Sequence, residues 1–403
     1  MKQKKSLFIA GVIAIVSITL ISFPSYGASV RGVTDTTIKV GGIWDFTGPV
    51  ATLWTAVASG TRTYIRHIND QGGIHGRKIK YILEDDRYTI PAAVAAFKKL
   101  VHRDEIFALL GPGSTGETKV LMSQMMKQRL PTLPCAADID LIDPPRRYIF
   151  PTIDTYDHML GVVFGWIVQE SKPKKPKLVA IITDVAAKFQ YVRAMEKWAK
   201  FFDLNVSIVM TTVGSVDLTG EILRTRREKP DYVIPFMTLP ATAAFMRDAW
   251  RFYKFKPRLY TTYSSTSEDV VRLAGEAADH FYGVHFYSSW YDDNPGMAEL
   301  RKITLNYFPG TEKPYRPKNY TIGWMTAKLL HEGIQRAGRD LDNEKFVDAL
   351  EGLRDFETGG ISGPITLTSK SHAVVKYCRI YKGDPATGKL IPISDWRDAP
   401  KIK

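Results

Sequence analysis

From residue 37 onward the chain alternates short apolar runs with amphipathic stretches, and nothing else in it limits the fold so strongly. The run 38–44 (IKVGGIW) reads as a strand ended by Thr47-Gly48-Pro49. The next stretch carries Val57, Gly60, Tyr64 and Ile68 on one helical stripe and stops at Gly72-Gly73. A strand over 78–84 and a helix over 91–102 follow, the helix opened by a proline suited to a first turn. An apolar strand then breaks into a glycine loop within 105–116, with a helix over 117–129 and a strand over 130–135 behind it. The second half repeats the scheme, with helices over 157–170, 189–202, 218–227 and 241–253 between strands over 178–183, 206–211, 232–236 and 259–262. Such alternation produces parallel sheets with helices on both faces, so the fold class is α/β with doubly wound lobes.

Later segments break the picture of two sequential domains. A strand over 283–287, helices over 295–307, 320–337 and 343–353, and a β-rich tail over 365–382 come after two complete halves, so the chain is expected to cross back between lobes. The Lys/Pro stretch 172–177 reads as a rigid, charged surface loop before a strand, not as a domain linker.

The first residues set the compartment. Lys2, Lys4 and Lys5 precede an apolar run over 7–21, Pro24 breaks it, and Ser25-Tyr26-Gly27 before Ala28 offers small residues for cleavage. We read residues 1–27 as a signal peptide and expect an exported, soluble protein in a periplasm. An uncleaved anchor is the alternative, because the apolar run is long for a signal. About 375 residues remain, too many for one core and suited to two lobes. The formal charge of +13 falls to +10 without the three signal lysines. Export argues against nucleic acid as the partner of this basic surface, and anionic solutes or the membrane face suit it better. Two cysteines, Cys135 and Cys378, are too few for a disulfide framework; both fall in expected strands, and no bridge between them is expected.

The loop Gly111-Pro112-Gly113-Ser114-Thr115-Gly116 matches G-x-G-x-x-G, and Asp138 lies 22 positions beyond Gly116, near where a dinucleotide site places its ribose acid. However, the loop does not follow the first strand, and soluble nicotinamide cofactors are not expected outside the cytoplasm. A phosphate loop fails because Glu117-Thr118 stands where Lys-Ser/Thr is required, and a nucleophile elbow fails because Pro112 stands two before Ser114. The histidines form no H-E-x-x-H arrangement and the cysteines no C-x-x-C, so neither a metal nor a cofactor is expected. Glu84-Asp85-Asp86 at a strand end reads first as a solvated loop, and second as a carboxylate cluster for a cation or for acid–base work.

Binding chemistry fits these loops better. Ligands of open α/β sheets sit beyond the carboxyl ends of strands. There the first half offers Thr47-Gly48, Ser114-Thr115-Gly116 and Cys135-Ala136-Ala137. Hydroxyls and N–H groups at such positions hold a carboxylate with the help of a helix dipole. Ser114 and Thr115 read equally as caps of the following helix, and the two roles are compatible. Phe46 and Trp54 flank the first loop and are placed to supply an apolar wall, whereas Trp44, ending a strand, reads as core.

Segments 38–49, 58–79 with Asn69-Asp70-Gln71-Gly72-Gly73-Ile74, 109–116 and 130–137 resemble the amino-terminal lobe of the branched-chain amino-acid-binding proteins (the Leu/Ile/Val-binding family). Segments 320–338, 348–353 and 360–368 are similar to that family's later parts. The resemblance implies a type I periplasmic binding fold, two lobes joined by a three-strand hinge that close over a ligand. It further implies a monomeric solute receptor that delivers a small molecule to the membrane permease of an ABC importer. The expected crossovers lie near Pro151, Trp290 and Gly360, giving one lobe from 34–151 plus 290–360 and another from 152–289 plus 361–403. Family ligand positions match Cys135 and Ala137 in the first lobe, with no hydroxyl at Ala137, while Ser114, Thr115 and Ala136 are expected contacts from their place in the cleft loops. In the second lobe they match Lys188 and Thr238, where amino-acid binders carry aromatic residues, and Tyr263, where they carry the carboxylate that grips the ammonium. An offset of a few residues would bring Phe189 or Tyr191 into the place of Lys188.

An α-ammonium buried without that carboxylate would cost several kcal/mol in order of magnitude. The expected ligand is therefore a carboxylate-bearing acid or amide, not a tightly held branched-chain amino acid. Two other readings stand beside the receptor: an exported enzyme working through Asp45, Asp138 or Asp184, and a sensor ectodomain on an uncleaved anchor.

Overall fold

The computed structural model describes residues 30–215, 217–310 and 315–402; the export signal expected over 1–27 lies outside them. The first sheet is built from β1 (Thr37–Trp44), β2 (Lys78–Asp85), β3 (Ala108–Leu110) and β4 (Thr132–Leu133), in the order β2-β1-β3-β4 and parallel throughout. Between them run α1 (Ala51–Asp70), α2 (Ile90–Lys98), which continues through a wider turn over Lys99–Arg103, and α3 (Thr115–Lys127). The strand expected over 130–135 shrinks to β4 because Pro131 and Pro134 flank it and supply no N–H to a ladder. Cys135 therefore lies outside the sheet.

The second unit opens with α4 (Tyr156–Ser171) and alternates β5 (Leu178–Thr183), α5 (Lys188–Phe201), β6 (Val206–Thr211), α6 (Thr219–Arg227), β7 (Tyr232–Phe236), α7 (Leu239–Tyr253), β8 (Arg258–Thr261), α8 (Glu268–Ala274) and β9 (Phe281–His285). Every residue of β5 (LVAIIT) is buried, as an interior parallel strand covered on both faces requires. Helix α8 escapes the sequence pattern because seven residues show too little periodicity; its start is fixed by Ser267, which accepts the Asp269 N–H.

The chain then returns. Helices α9 (Pro295–Tyr307), α10 (Lys318–Ala337) and α11 (Asn343–Glu351) belong to the first unit, with α10 lying along α1. That packing is very close. A Cβ added at Gly323 would stand 1.7 Å from the Val57 carbonyl oxygen, and one at Gly60 would stand 2.1 Å from that of Tyr320. The last strands, β10 (Arg379–Asp384) and β11 (Lys389–Pro392), form an antiparallel hairpin on the second sheet, whose order is β11-β10-β9-β8-β7-β5-β6. The β-rich tail thus begins later than expected. Residues 365–378 hold only isolated bridges, among them Phe356 with Ile365 and Cys378 with Arg397.

Three connecting segments run side by side between the units. The Tyr287 hydroxyl donates to the Thr152 carbonyl at 2.7 Å, and Ser288 N–H donates to the Ile361 carbonyl at 2.7 Å. Leu367 N–H still bonds the Leu353 carbonyl, and His372 bonds the Ile149 carbonyl and stacks on Phe150, so 361–372 stays with the first unit. The chain joins the second sheet only at Cys378, next to β10. Both cysteines are buried and free.

Candidate functional site

Four helices begin at the cleft between the units: α1 behind Val50, α3 behind Ser114, α5 behind Ala187 and α7 behind Thr238. All four cap residues line one cavity. Each helix start carries N–H groups without intrahelical partners and the positive end of its dipole. Ser114 and Thr238 also cap with their hydroxyls, accepting from Glu117 N–H and Ala241 N–H, both at 3.4 Å. The cavity has a volume of about 70 Å³, on a measure by which one water takes roughly 10–15 Å³, so it suits a small solute.

Glycines in the 111–116 loop serve close packing. A Cβ at Gly113 would fall 2.6 Å from the Trp54 indole, and one at Gly116 would fall 2.9 Å from the Ala186 Cβ across the cleft. Trp54 is thereby pressed flat beside the loop, with Trp44 stacked behind it at 5.5 Å between ring centroids. Opposite stands an aromatic group from the second unit: Tyr156, Phe236 and Tyr263 line the cavity, with Tyr191 stacked on Phe236 at 4.3 Å. Burial pushes the Tyr263 phenol well above its ordinary pKa, with neighbouring Tyr156 and Tyr88 adding to the shift, so the side chain is a neutral hydroxyl. The buried Ser264 hydroxyl, also at the cavity, has no hydrogen-bond partner among the described residues.

Of the residues singled out from sequence, Trp54, Ser114, Thr115, Thr238 and Tyr263 come together around this cavity, and Phe46, Cys135, Ala136, Ala137 and Lys188 do not line it. Physical reasons account for the second group. Phe46 gives its N–H to Asp85 and packs against the core. The Cys135 N–H bonds the Pro112 carbonyl, its thiol meets Thr152 Oγ1 at 3.3 Å, and Ala136 is buried beside it. Ala137 donates its N–H to Thr115 Oγ1 at 3.2 Å, so it positions Thr115 and has no N–H left for a ligand. Lys188 begins α5 and pairs with Asp184, one turn back, over the exposed ring of Phe189. Its charge is neutralised outside the cavity. Tyr191, the offset alternative, is buried behind Phe236 and does not line the cavity itself.

Sequence reasoning missed Tyr88, Tyr156, Phe236 and Ser264. Phe236 ends β7 and Tyr88 follows β2, so the rule that sites lie past strand carboxyl ends points at both. Tyr156 sits just after the first crossover, where no strand marks it.

The acidic candidates have structural partners. Asp138 is buried between Lys119, at 2.8 Å, and Arg193, at 3.3 Å, which leaves no room for a ribose role. Asp184 is taken by Lys188. Asp45 holds the turn into α1 by accepting from Gly48 and Val50 N–H. The expectation of a solvated loop at Glu84-Asp85-Asp86 fails for Asp86, which is 1% exposed and approaches Asp45 and Asp85. Glu117, at the start of α3, is also buried. Burial, with Asp86 and Asp45 nearby, raises its carboxyl far above the usual range, and burial raises that of Asp86 as well.

The pattern of the family described as "Periplasmic binding protein" matches residues 37–389. The leucine-specific-binding protein of Salmonella typhimurium is 26% identical over 285 residues, 69% of this chain and 72% of that protein. Among solved structures, a branched-chain amino acid ABC transporter protein from Thermus thermophilus with bound valine superposes with a TM-score of 0.83 at 23% identity, covering 91% of this chain and 97% of the other. A solute-binding protein of an ABC transporter from R. palustris in complex with benzoate superposes with a TM-score of 0.77 at 20% identity, covering 89% and 95%.

Proposed function

Because this chain belongs to the periplasmic binding protein family, we propose that it is the exported solute receptor of an ABC importer, closing over a small monocarboxylate, aromatic or aliphatic, and handing it to the permease. One observation carries the choice of solute: among the described residues no charged side chain lines the cavity, while four helix N-termini converge on it. Helix N-termini and hydroxyls hold a carboxylate without a buried cation. An α-ammonium entering the same space would find no carboxylate to balance it, at a cost of several kcal/mol in order of magnitude. Trp54, Phe236 and Tyr263 supply an apolar wall for a ring or chain. Related folds have been solved with valine and with benzoate, and the uncharged lining here favours the second class.

Closure supplies the mechanism. Ser114 and Thr115 come from one unit and Thr238 and Tyr263 from the other, so a solute touches both sets only when the lobes meet. Arg193 of α5 reaches Asp138 and Asp140 of the first unit and helps hold the lobes together. The receptor is expected to act as a monomer in the periplasm, the permease reading the closed lobes.

The test is a binding screen on protein refolded after denaturation to strip retained solute, by thermal shift and calorimetry. Benzoate, phenylacetate and hexanoate are compared with leucine, isoleucine and valine. Micromolar binding of at least one monocarboxylate and none of the amino acids is expected. Micromolar leucine or valine binding without any monocarboxylate binding would refute the assignment.

A further inference from the structure

Behind the cavity lies a second concentration of chemistry. Asp45, Asp85 and Asp86 each bring a carboxylate oxygen within 4.8 Å of the others. Glu117 faces Asp86 and Asp45 from the first turn of α3 and is 2% exposed. No N–H or hydroxyl of the described residues donates to either of its oxygens, and the group it meets is the Asp86 carboxyl. The donors to the aspartates are neutral: Gly48 and Val50 N–H to Asp45, Phe46 and Arg87 N–H and the Thr47 hydroxyl to Asp85, and Tyr88 N–H to Asp86. Among the described residues, no Lys, Arg or His comes within ion-pair distance of any of the four. Four carboxyl groups, three of them almost wholly buried, thus share one place with no ion-pair partner, and burial tolerates such a concentration only with a proton or a cation bound.

We propose that Asp45, Asp86 and Glu117, with Asp85 at the rim, bind one hard divalent cation of the calcium class. The donor set is oxygen only, which suits Ca²⁺ or Mg²⁺ and not the softer transition metals. Each carboxylate oxygen already bonded to an N–H keeps a further lone pair for the ion. The ligands come from the three loops that also form one wall of the solute cavity. Asp45 is bonded to Val50 N–H, Asp86 to Tyr88 N–H, and Glu117 N–H to Ser114 Oγ, and Val50, Tyr88 and Ser114 all line that cavity. The cation therefore pins these loops together and removes negative charge from behind the helix N-termini.

Protein treated with EDTA is titrated with CaCl₂, with MgCl₂ and with KCl at matched ionic strength, and separately with Tb³⁺ excited through indole. Trp44 adjoins Asp45 and stacks on Trp54, which makes it the sensitiser. One Ca²⁺ per chain is expected, with Kd on the order of 10⁻⁴ to 10⁻³ M as in extracellular modules. Millimolar CaCl₂ should raise Tm by at least about 3 °C over KCl. Sensitised Tb³⁺ emission should be displaced by Ca²⁺, lost in Glu117→Gln and weakened at least about tenfold in Asp86→Asn. Absence of both the Tm rise and the emission in the wild-type protein overturns the proposal, as does emission undiminished in both variants. Circular dichroism establishes that each variant is folded, and solute binding is scored separately, so failure here leaves the solute assignment standing.

Discussion

His158 gives the most closely worked expectation, because it joins the first crossover to the end of the chain. Its Nδ1 lies 2.6 Å from Asp154 Oδ2 and its Nε2 lies 3.0 Å from Asp398 Oδ1. The Cys378 thiol donates to the same Asp154 oxygen at 2.9 Å. Burial by itself lowers the imidazole pKa. The Asp154 charge and the hydrogen bonds to Asp154 and Asp398 outweigh it, raising the value from 6.5 to about 9. A raised pKa means that folding favours the protonated ring. The contribution is complete below 6.5, where both states carry the proton, declines as the unfolded chain loses it, and is gone once pH passes about 9. The full difference corresponds to about 3 kcal/mol at ~1.4 kcal/mol for each tenfold change in proton affinity. Asp398 is 57% exposed, so solvent screening reduces the expectation to about 2 kcal/mol. Urea unfolding of wild type and His158→Asn, followed by circular dichroism, should show that gap below pH 6.5 and its disappearance above about 9. A gap of the same size at both ends would mean that His158 contributes by packing alone, and the ion-pair reasoning would be refuted.

Two further expectations test the packing and the cavity wall. Gly323→Ala should lower stability by at least about 3 kcal/mol and Tm by roughly 6–12 °C, because the new methyl meets backbone of α1, which has no rotamer to move. Gly220→Ala is the control, since a Cβ there finds nothing nearer than 3.9 Å, and it should be neutral or stabilising by about 0.5–1 kcal/mol; equal behaviour of the two in a thermal melt would contradict the close helix approach. Trp54→Leu should weaken an aromatic monocarboxylate about tenfold by calorimetry while sparing an aliphatic one more, and unchanged affinity for both would remove Trp54 from the contact surface.

Period and punctuation exposed the architecture because each strand and helix states its own pattern locally. β5, β6 and β7 fall on the residues their apolar runs mark, and α9 begins at the proline expected to open it. What escaped was non-local. Leu367 and His372 find partners some way off in sequence, at Leu353 and Ile149, and no local pattern announces that pairing. Helix α8 is too short to show a period, and β4 is clipped by its own prolines.

The site divides along the same line. Ser114 and Thr115 were legible because a hydroxyl at the start of a helix after a strand is a local motif, and both stand at the cavity, as does Thr238, which the family resemblance supplied. Lys188 stays out of the cavity lining because it pairs with Asp184 one turn away, a choice set by side-chain pairing that the α/β pattern does not contain. Glu117 is the instructive case. In the sequence it counted only as the residue that spoils a phosphate loop. In the fold it is a carboxylate shut in beside Asp86 and Asp45 with no cation of the described chain at hand. The same residue that excludes one anion from the loop thereby needs a proton or a bound cation behind it. If the proposed anion receptor rests its cleft loops on these four carboxyl groups, its affinity depends on how far their charge is neutralised, so solute recognition at the front of these loops and neutralisation at their back form one electrostatic problem.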